Sequence, residues 1–270
     1  MELTAMFDPL FRVQLTVGLL GAIALPLIGA FLRLRDEWLA ALGFAHLSAA
    51  GGLAGLFVHL PVIIGATIGS LTGAIAKALL GATGNTAYAL MILVGWSGAL
   101  LLAANTPLGE SLSHAMIDGQ LYFATATHLI GLSLLLCTLL LALPWLTPRL
   151  MRARFFPHHE QANRLAAWRW HLSFDLFAAL SMALGTATMG LMAAFALAFV
   201  PPWLAFQVAL GWRSTLLYSV AFGVTPYILA FALAMGFDQP FGPTMVAALI
   251  AEVLVFEALR LTLSPPRHRP

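Results

Sequence analysis

The sequence predicts an all-α, polytopic transmembrane bundle of about eight to nine spans, and three observations predict it. Hydrophobic residues fill 61% of the 270 positions and charged residues 9%, with a mean hydropathy of +0.92. A soluble domain carries about 25% charged residues, so this chain has too little polar surface to cover itself in water. Several stretches reach 18 or more apolar residues, the length a helix needs to cross the hydrocarbon of a bilayer. These runs are continuous and not alternating ten-residue segments, which favours helices over a barrel. Residues 1–270 read as a single transmembrane domain.

The spans expected in order are 12–32, 38–58, 61–80, 87–105, 121–146, 171–190, 192–210, 214–235 and 241–261. The start, MELTAMFDP, lacks the basic n-region of a signal peptide, so the first run is expected to be a retained span. The second span carries His46 and Ser48, followed by the small residues Gly51, Gly52 and Gly55. Gly65, Gly69 and Gly73 in the third have G-x-x-x-G spacing, which lets helix backbones approach closely. Gly185, Gly190, Pro201 and Pro202 interrupt the 171–210 region, which is either two spans or one helix plus a re-entrant segment. The single cysteine, Cys137, excludes an intrachain disulfide and a thiolate metal cage.

Lysine and arginine set the expected orientation. They cluster at Arg33 and Arg35, at Lys77, through 149–169, at Arg213, and from Arg260 to Arg269. The alternate connections, 59–61, 106–119 and 236–243, are poor in them. Nine spans make the two sets alternate consistently, with the N-terminus outside and the C-terminus cytoplasmic. Arg12 can snorkel to the outer interface. The longest basic connection is 147–170, where Pro157 can open a short helix through Glu160, Asn163 and Arg164. It is either a solvated loop gripping anionic headgroups or a helix for a partner protein to push. No G-x-x-x-x-G-K-[ST] phosphate loop occurs, so ATP-driven transport needs its ATPase on another chain.

Ionisable groups at membrane depth are costly and usually face protein or water. His46 is either a hydrogen-bonded packing residue or a ligand. Glu110, His114 and Asp118 are spaced four and four, which on a helix places them on one face. Imidazole with carboxylates suits a first-row divalent cation; a solvated amphipathic outer loop is the other reading. Glu252 near the middle of the last span is a protonated core carboxyl, a partner for a buried donor, or a cavity residue. His128, Asp175 and Gln207 read as packing or interfacial residues, and Glu257 as a partner of Arg260 or Arg164. No motif brings Ser and His together for hydrolase or transferase chemistry.

These landmarks resemble the permease subunit of bacterial ABC importers for zinc and manganese, over most of the chain. In that family a basic turn is followed by Gly-Asp-x-x-x-His-Ala; here the stretch is Ala41-Leu42-Gly43-Phe44-Ala45-His46-Leu47. A Gly-Asp after the fourth span is similar to Gly119-Gln120. The family's glycine and later proline correspond to Gly190 and Pro201, and its late outer turn to Asp238-Gln239-Pro240-Phe241-Gly242-Pro243. Pro157 onward occupies the place of the helix that docks into the ATPase. The resemblance implies a multi-pass inner-membrane permease that transports zinc or manganese and holds no permanent cofactor. It further implies a second permease copy, a cytoplasmic ATPase dimer and an extracytoplasmic metal-binding protein, with no nucleic acid involved. His46, Glu110, His114, Asp118 and Glu252 are the pathway candidates, with His46, His114 and Asp118 as metal ligands. Pro157, His158, Glu160, Asn163 and Arg164 are the coupling candidates. The chain departs from the family at Leu42, where an aspartate one turn before the histidine is usual. That departure leaves open a metal chelate or small organic molecule as cargo, or a non-transporting scaffold or sensor.

Overall fold

The computed structural model describes residues 11–81, 84–106, 116, 119 and 121–263, and in it each apolar run forms a helix. Among the described residues the long helices number nine: α1 (Arg12–Leu34), α2 (Leu39–Phe57), α3 (Val62–Leu79), α4 (Asn85–Ala104), α5 (Ala126–Phe155), α7 (Trp168–Met189), α8 (Leu191–Val208), α9 (Trp212–Gly236) and α10 (Phe241–Leu263). A single-turn α6 (His159–Ala162) lies between α5 and α7. Eight of the long helices have the length and hydropathy of a membrane span. The ninth, α10, has 23 residues and carries Glu252, Glu257 and Arg260.

Successive long helices run in opposite directions, as contacts at the two ends of the bundle show. At one end, Asn85 donates to the Asp36 carbonyl, the Arg33 guanidinium lies over the Phe206 ring, and Phe31 packs on Trp212. Arg260 at the end of α10 donates to Gln207 at the end of α8 on this same face. At the other end, Gln14 donates to the Tyr122 carbonyl and Tyr227 to that of Leu15, while Tyr227 also stacks edge-on with Phe241. The ends of α1 and α10 that lie furthest apart in sequence therefore sit on opposite faces. The break between α7 and α8 is one residue, Gly190, at φ 90°, and α8 then crosses the whole bundle through Pro201 and Pro202. The 171–210 region thus forms two spans, and the re-entrant alternative is not adopted.

One correction concerns α5. The expected span stops at 146, yet the helix continues for two further turns to Phe155. Pro148 removes one backbone donor without ending the helix, because proline abolishes a single i→i−4 bond. Arg149 turns back to donate to the Trp145 carbonyl and covers the Trp145 ring. The connection is therefore shorter than 147–170, and its helix is confined to His159–Ala162.

Two groups of helices share the bundle. Helix α1 is buried along most of its length by α5, α7, α8 and α9, while α2 packs on α3 and α4. Helix α7 lies between them, touching α1, α2, α3, α5 and α8. On α4 and α5 large apolar side chains such as Leu93, Leu101, Leu134 and Leu141 are more than 60% exposed, which identifies the lipid-facing surface. The α2–α3 contact is made backbone to backbone. A Cβ on Gly51 would lie 2.5 Å from the Gly65 carbonyl oxygen and 2.8 Å from the Gly69 Cα. The glycine spacing read from the sequence is this contact.

Replacing Gly65 with Val should force α2 and α3 apart and destabilise the bundle by about 1–3 kcal/mol, the usual cost of overpacking. Gly98→Ala on α4, where a Cβ meets only ordinary contact with Ala50, should be neutral or stabilising. Thermal unfolding of the two purified variants in one detergent checks this; equal midpoints would contradict the packing account.

Candidate functional site: a buried charge cluster and the short helix above it

The basic end of the bundle holds four charges that the protein buries almost completely. Arg35 follows α1, Glu37 precedes α2, Lys77 lies in the last turn of α3, and Asp175 lies in the second turn of α7. Their side chains are 5–12% exposed. Asp175 accepts from Arg35 at 2.9 Å through Oδ1 and from Lys77 at 2.8 Å through Oδ2. Glu37 is 2.8 Å from Arg35 and accepts from Lys77 at 3.3 Å. Tyr88 of α4 closes the ring: Lys77 donates to its hydroxyl at 2.5 Å, and that hydroxyl donates to Glu37 at 3.1 Å.

Two cations and two anions sum to zero, and every charged group has at least two partners. A charge left alone at this depth would cost several kcal/mol, so the ring holds together as a unit. Burial alone would lower the Arg35 guanidinium; Asp175 and then Glu37 outweigh it and hold it above its ordinary range. The Arg35 guanidinium also lies over the Phe174 ring, 4.9 Å from its centroid. Four segments far apart in the chain are thereby tied at one end: the α1–α2 turn, α3, α4 and α7.

The short helix α6 is attached to the same structure. Glu160 accepts from the Trp170 indole at 2.8 Å and from His171 Nε2 at 3.1 Å. His171 precedes Asp175 by one turn of α7, so the two face the same side. Glu160 thus ties α6 to the first turn of α7, one turn from Asp175 of the cluster. Asn163 donates to the His159 carbonyl, and Arg164 ends the helix with φ 49°, a left-handed conformation that non-glycine residues adopt at a cost. Beside α6, Phe155 and Phe156 are 62% and 64% exposed and line, with Pro157, His158, His159, Ala162 and Asn163, an open cavity of about 430 Å³. Two exposed phenylalanines next to polar residues outside the spans mark a contact surface.

The pathway candidates are dispersed. His46 is buried between α2 and α4, where the Gly95 backbone and the Trp96 ring cover it. Its Nδ1–H donates to the Leu42 carbonyl at 2.9 Å, which leaves Nε2 with the free lone pair. Leu42 therefore supplies a carbonyl to the ring and no carboxylate to an ion. Glu252 sits on α10 with Oε2 unpartnered, so its alternative as the partner of a buried donor is not realised there. Glu110, His114 and Asp118 lie outside the described residues, as does Gln120. Among their neighbours, Met116 packs its thioether towards Gly52 of α2, and Gly119, at φ 84°, backs onto the Met189 carbonyl and Gly190. Among the described residues no three histidine, cysteine or acidic side chains gather as a metal site.

Several residues take roles the sequence did not suggest. Asp175, read as packing or interfacial, is the two-cation acceptor of the cluster. Lys77, read as part of a positive surface, is 6% exposed. Trp170 and His171 went unnoticed. The available signal was the presence of Glu37 and Asp175 on an otherwise basic side. His128 instead caps α5 through Thr125, Gln207 accepts from Arg260, and Glu257 pairs with Arg260 at 3.6 Å.

A family model described as the ABC 3 transport family matches residues 6–260. No curated protein sequence matches the chain. Among solved structures, PsaBC from Streptococcus pneumoniae in complex with Fab aligns over 93% of this chain and 92% of its own, with TM-score 0.80 and 18% identity. A structure described as a metal-chelate type ABC transporter in an inward-facing conformation aligns over 95% and 88%, with TM-score 0.71 and 15% identity. At these identities the likeness is one of fold.

Asp175→Asn leaves Arg35 and Lys77 with Glu37 alone and should destabilise the protein by about 3–5 kcal/mol. Combining Asp175→Leu with Lys77→Met removes one charge of each sign and should cost clearly less than the two single losses summed, by at least about 1 kcal/mol. Additive losses in thermal unfolding would show that the four groups do not act as one unit.

Proposed function

The chain belongs to the ABC 3 transport family, and we propose on that footing that it is the membrane permease of an ATP-driven importer of divalent metal ions, zinc or manganese. The observation that carries the mechanism is the connection from α6 through Glu160 to Trp170, His171 and Asp175. In this reading the basic face is cytoplasmic, by the excess of arginine and lysine there. It places the N-terminus outside a bacterial inner membrane. A separate cytoplasmic ATPase dimer grips α6 and its exposed Phe155–Phe156 neighbours. A second permease copy completes the pathway, and an extracytoplasmic metal-binding protein delivers the ion.

ATP binding on the partner moves α6 with Pro157, His158, Asn163 and Arg164. Glu160 passes the movement to α7. Because Asp175 holds the α1–α2 turn and α3, the charge cluster moves as a block and carries α2 with it. His46, with its Nε2 lone pair free, rides on α2 and contributes one ligand to the passing ion; His114, Asp118, Glu110 and Glu252 are the other candidates. Metal is cargo here, and the permease performs no chemistry of its own.

A second reading keeps the fold and changes the cargo to a metal chelate. The absence of a carboxylate at Leu42 favours it, since a neutral imidazole offers no charge to a bare dication. A third, a scaffold or sensor without transport, predicts no ATPase bound to the purified chain.

Uptake of zinc, manganese and chelated forms by a deletion strain complemented with this chain separates the readings. His46→Ala should reduce bare-ion uptake while the protein remains folded. Uptake of the chelate alone would sink the bare-ion version. Arg164→Glu should uncouple or dissociate the ATPase, and unchanged assembly and transport would remove α6 from the coupling surface. Glu160→Gln should lower uptake by about tenfold, the scale of one charge-assisted hydrogen bond, with the ATPase still bound.

A further inference from the structure

The basic face also holds a groove of about 550 Å³, lined in part by Pro157 and His171 of the proposed coupling chain. Helices α3 and α5 form its sides, and each packs on α7, which forms the floor. The inner wall is the closed charge cluster, whose charges cancel. Leu150 and Leu172 supply apolar lining, and Arg154 stands at the lip. Arg154 is exposed and makes no ion pair among the described residues.

Depth fixes what can reach it. Helix α5 has 30 residues, about 45 Å of rise. That exceeds the hydrocarbon thickness of about 30 Å, so Arg154 in its last turn lies at headgroup level. Trp168 in the lining is 64% exposed, and Leu79 and Leu80, between the lining residues Ala78 and Gly81, are 82% and 80% exposed. Tryptophan is enriched at this depth, where one edge meets lipid and the other water. A soluble acidic partner would leave these apolar side chains uncovered, whereas a lipid covers them with acyl chain.

We propose that this groove binds an anionic glycerophospholipid. Its phosphodiester lies against the Arg154 guanidinium, and its acyl chains cover Leu79, Leu80 and Trp168. With the inner wall neutral, the one uncompensated charge of the groove among the described residues is an arginine, and at a membrane boundary it selects such headgroups by charge. A zwitterionic headgroup brings its own cation to the same lip and is held less well. The assignment needs only a membrane boundary at this face, and it stands or falls separately from the transported cargo.

The test is native mass spectrometry of the full-length chain, released from nanodiscs containing phosphatidylglycerol, phosphatidylcholine or an equal mixture. Wild type should retain one phosphatidylglycerol per chain, and Arg154→Gln should lower that occupancy about tenfold. Arg152→Gln, an exposed arginine outside the groove, should leave it unchanged. Circular dichroism of both variants establishes that they fold alike. Equal retention of phosphatidylcholine, or undiminished phosphatidylglycerol in the Arg154 variant, would overturn the site. Displacement of the lipid by glycerol 3-phosphate at low millimolar concentration would assign the groove to a soluble anion and also overturn it.

Discussion

Charge at the edge of a membrane must be neutralised in place, and most of this architecture follows from how that is done at one end of the bundle. Arg35, Glu37, Lys77 and Asp175 neutralise one another in a ring that Tyr88 completes. Removing any member strands another, so the segments bearing them cannot separate independently. The cost of burial becomes a mechanical property. The α1–α2 turn and the ends of α3, α4 and α7 are held as one block, while the opposite end depends on small residues and single hydrogen bonds.

Helix α7 connects these two regimes. Its first turn receives α6 through Glu160, its second holds Asp175, and its last residue, Met189, supports Gly119 through a carbonyl. A substitution at Gly119 would meet both the positive φ and that carbonyl, so the backbone passes there only as glycine. The short helix α6, the charge cluster and the Gly119 turn are thus joined by one helix of 22 residues. The buried middle of α7 offers little room for bending, so any movement of it is a tilt or shift as a rod.

Much of the fold was legible because lipid imposes long apolar runs on any helix that crosses it. Each expected apolar run holds a long helix, eight of them with the hydropathy of a span, and the Gly51/Gly65/Gly69 contact follows from residue spacing. The end of α5 was misread because Pro148 and Arg149 look like a stop, whereas a helix leaving the bilayer has other partners for its backbone. The site was far less legible. Arg35 and Lys77 lie 140 and 98 residues from Asp175, so nothing in the local pattern joins them. Basic residues at span ends read as surface, and only the packing of α3 on α7 turns Lys77 inward. Glu160 was expected in the coupling segment, and its two donors, Trp170 and His171, come within reach because the start of α7 folds back over it.

The antiparallel run of nine helices has a consequence for how such a chain can be joined to others. Among the described residues an odd number of long antiparallel helices leaves Arg12 and Leu263 at opposite ends of the bundle. A nucleotide-binding domain could be fused in a single reading frame after α10, where it would emerge on the face bearing α6. Fused before α1, the same domain would emerge at the opposite end of the bundle from α6. The parity of the helix count therefore decides which gene fusions of this permease are viable.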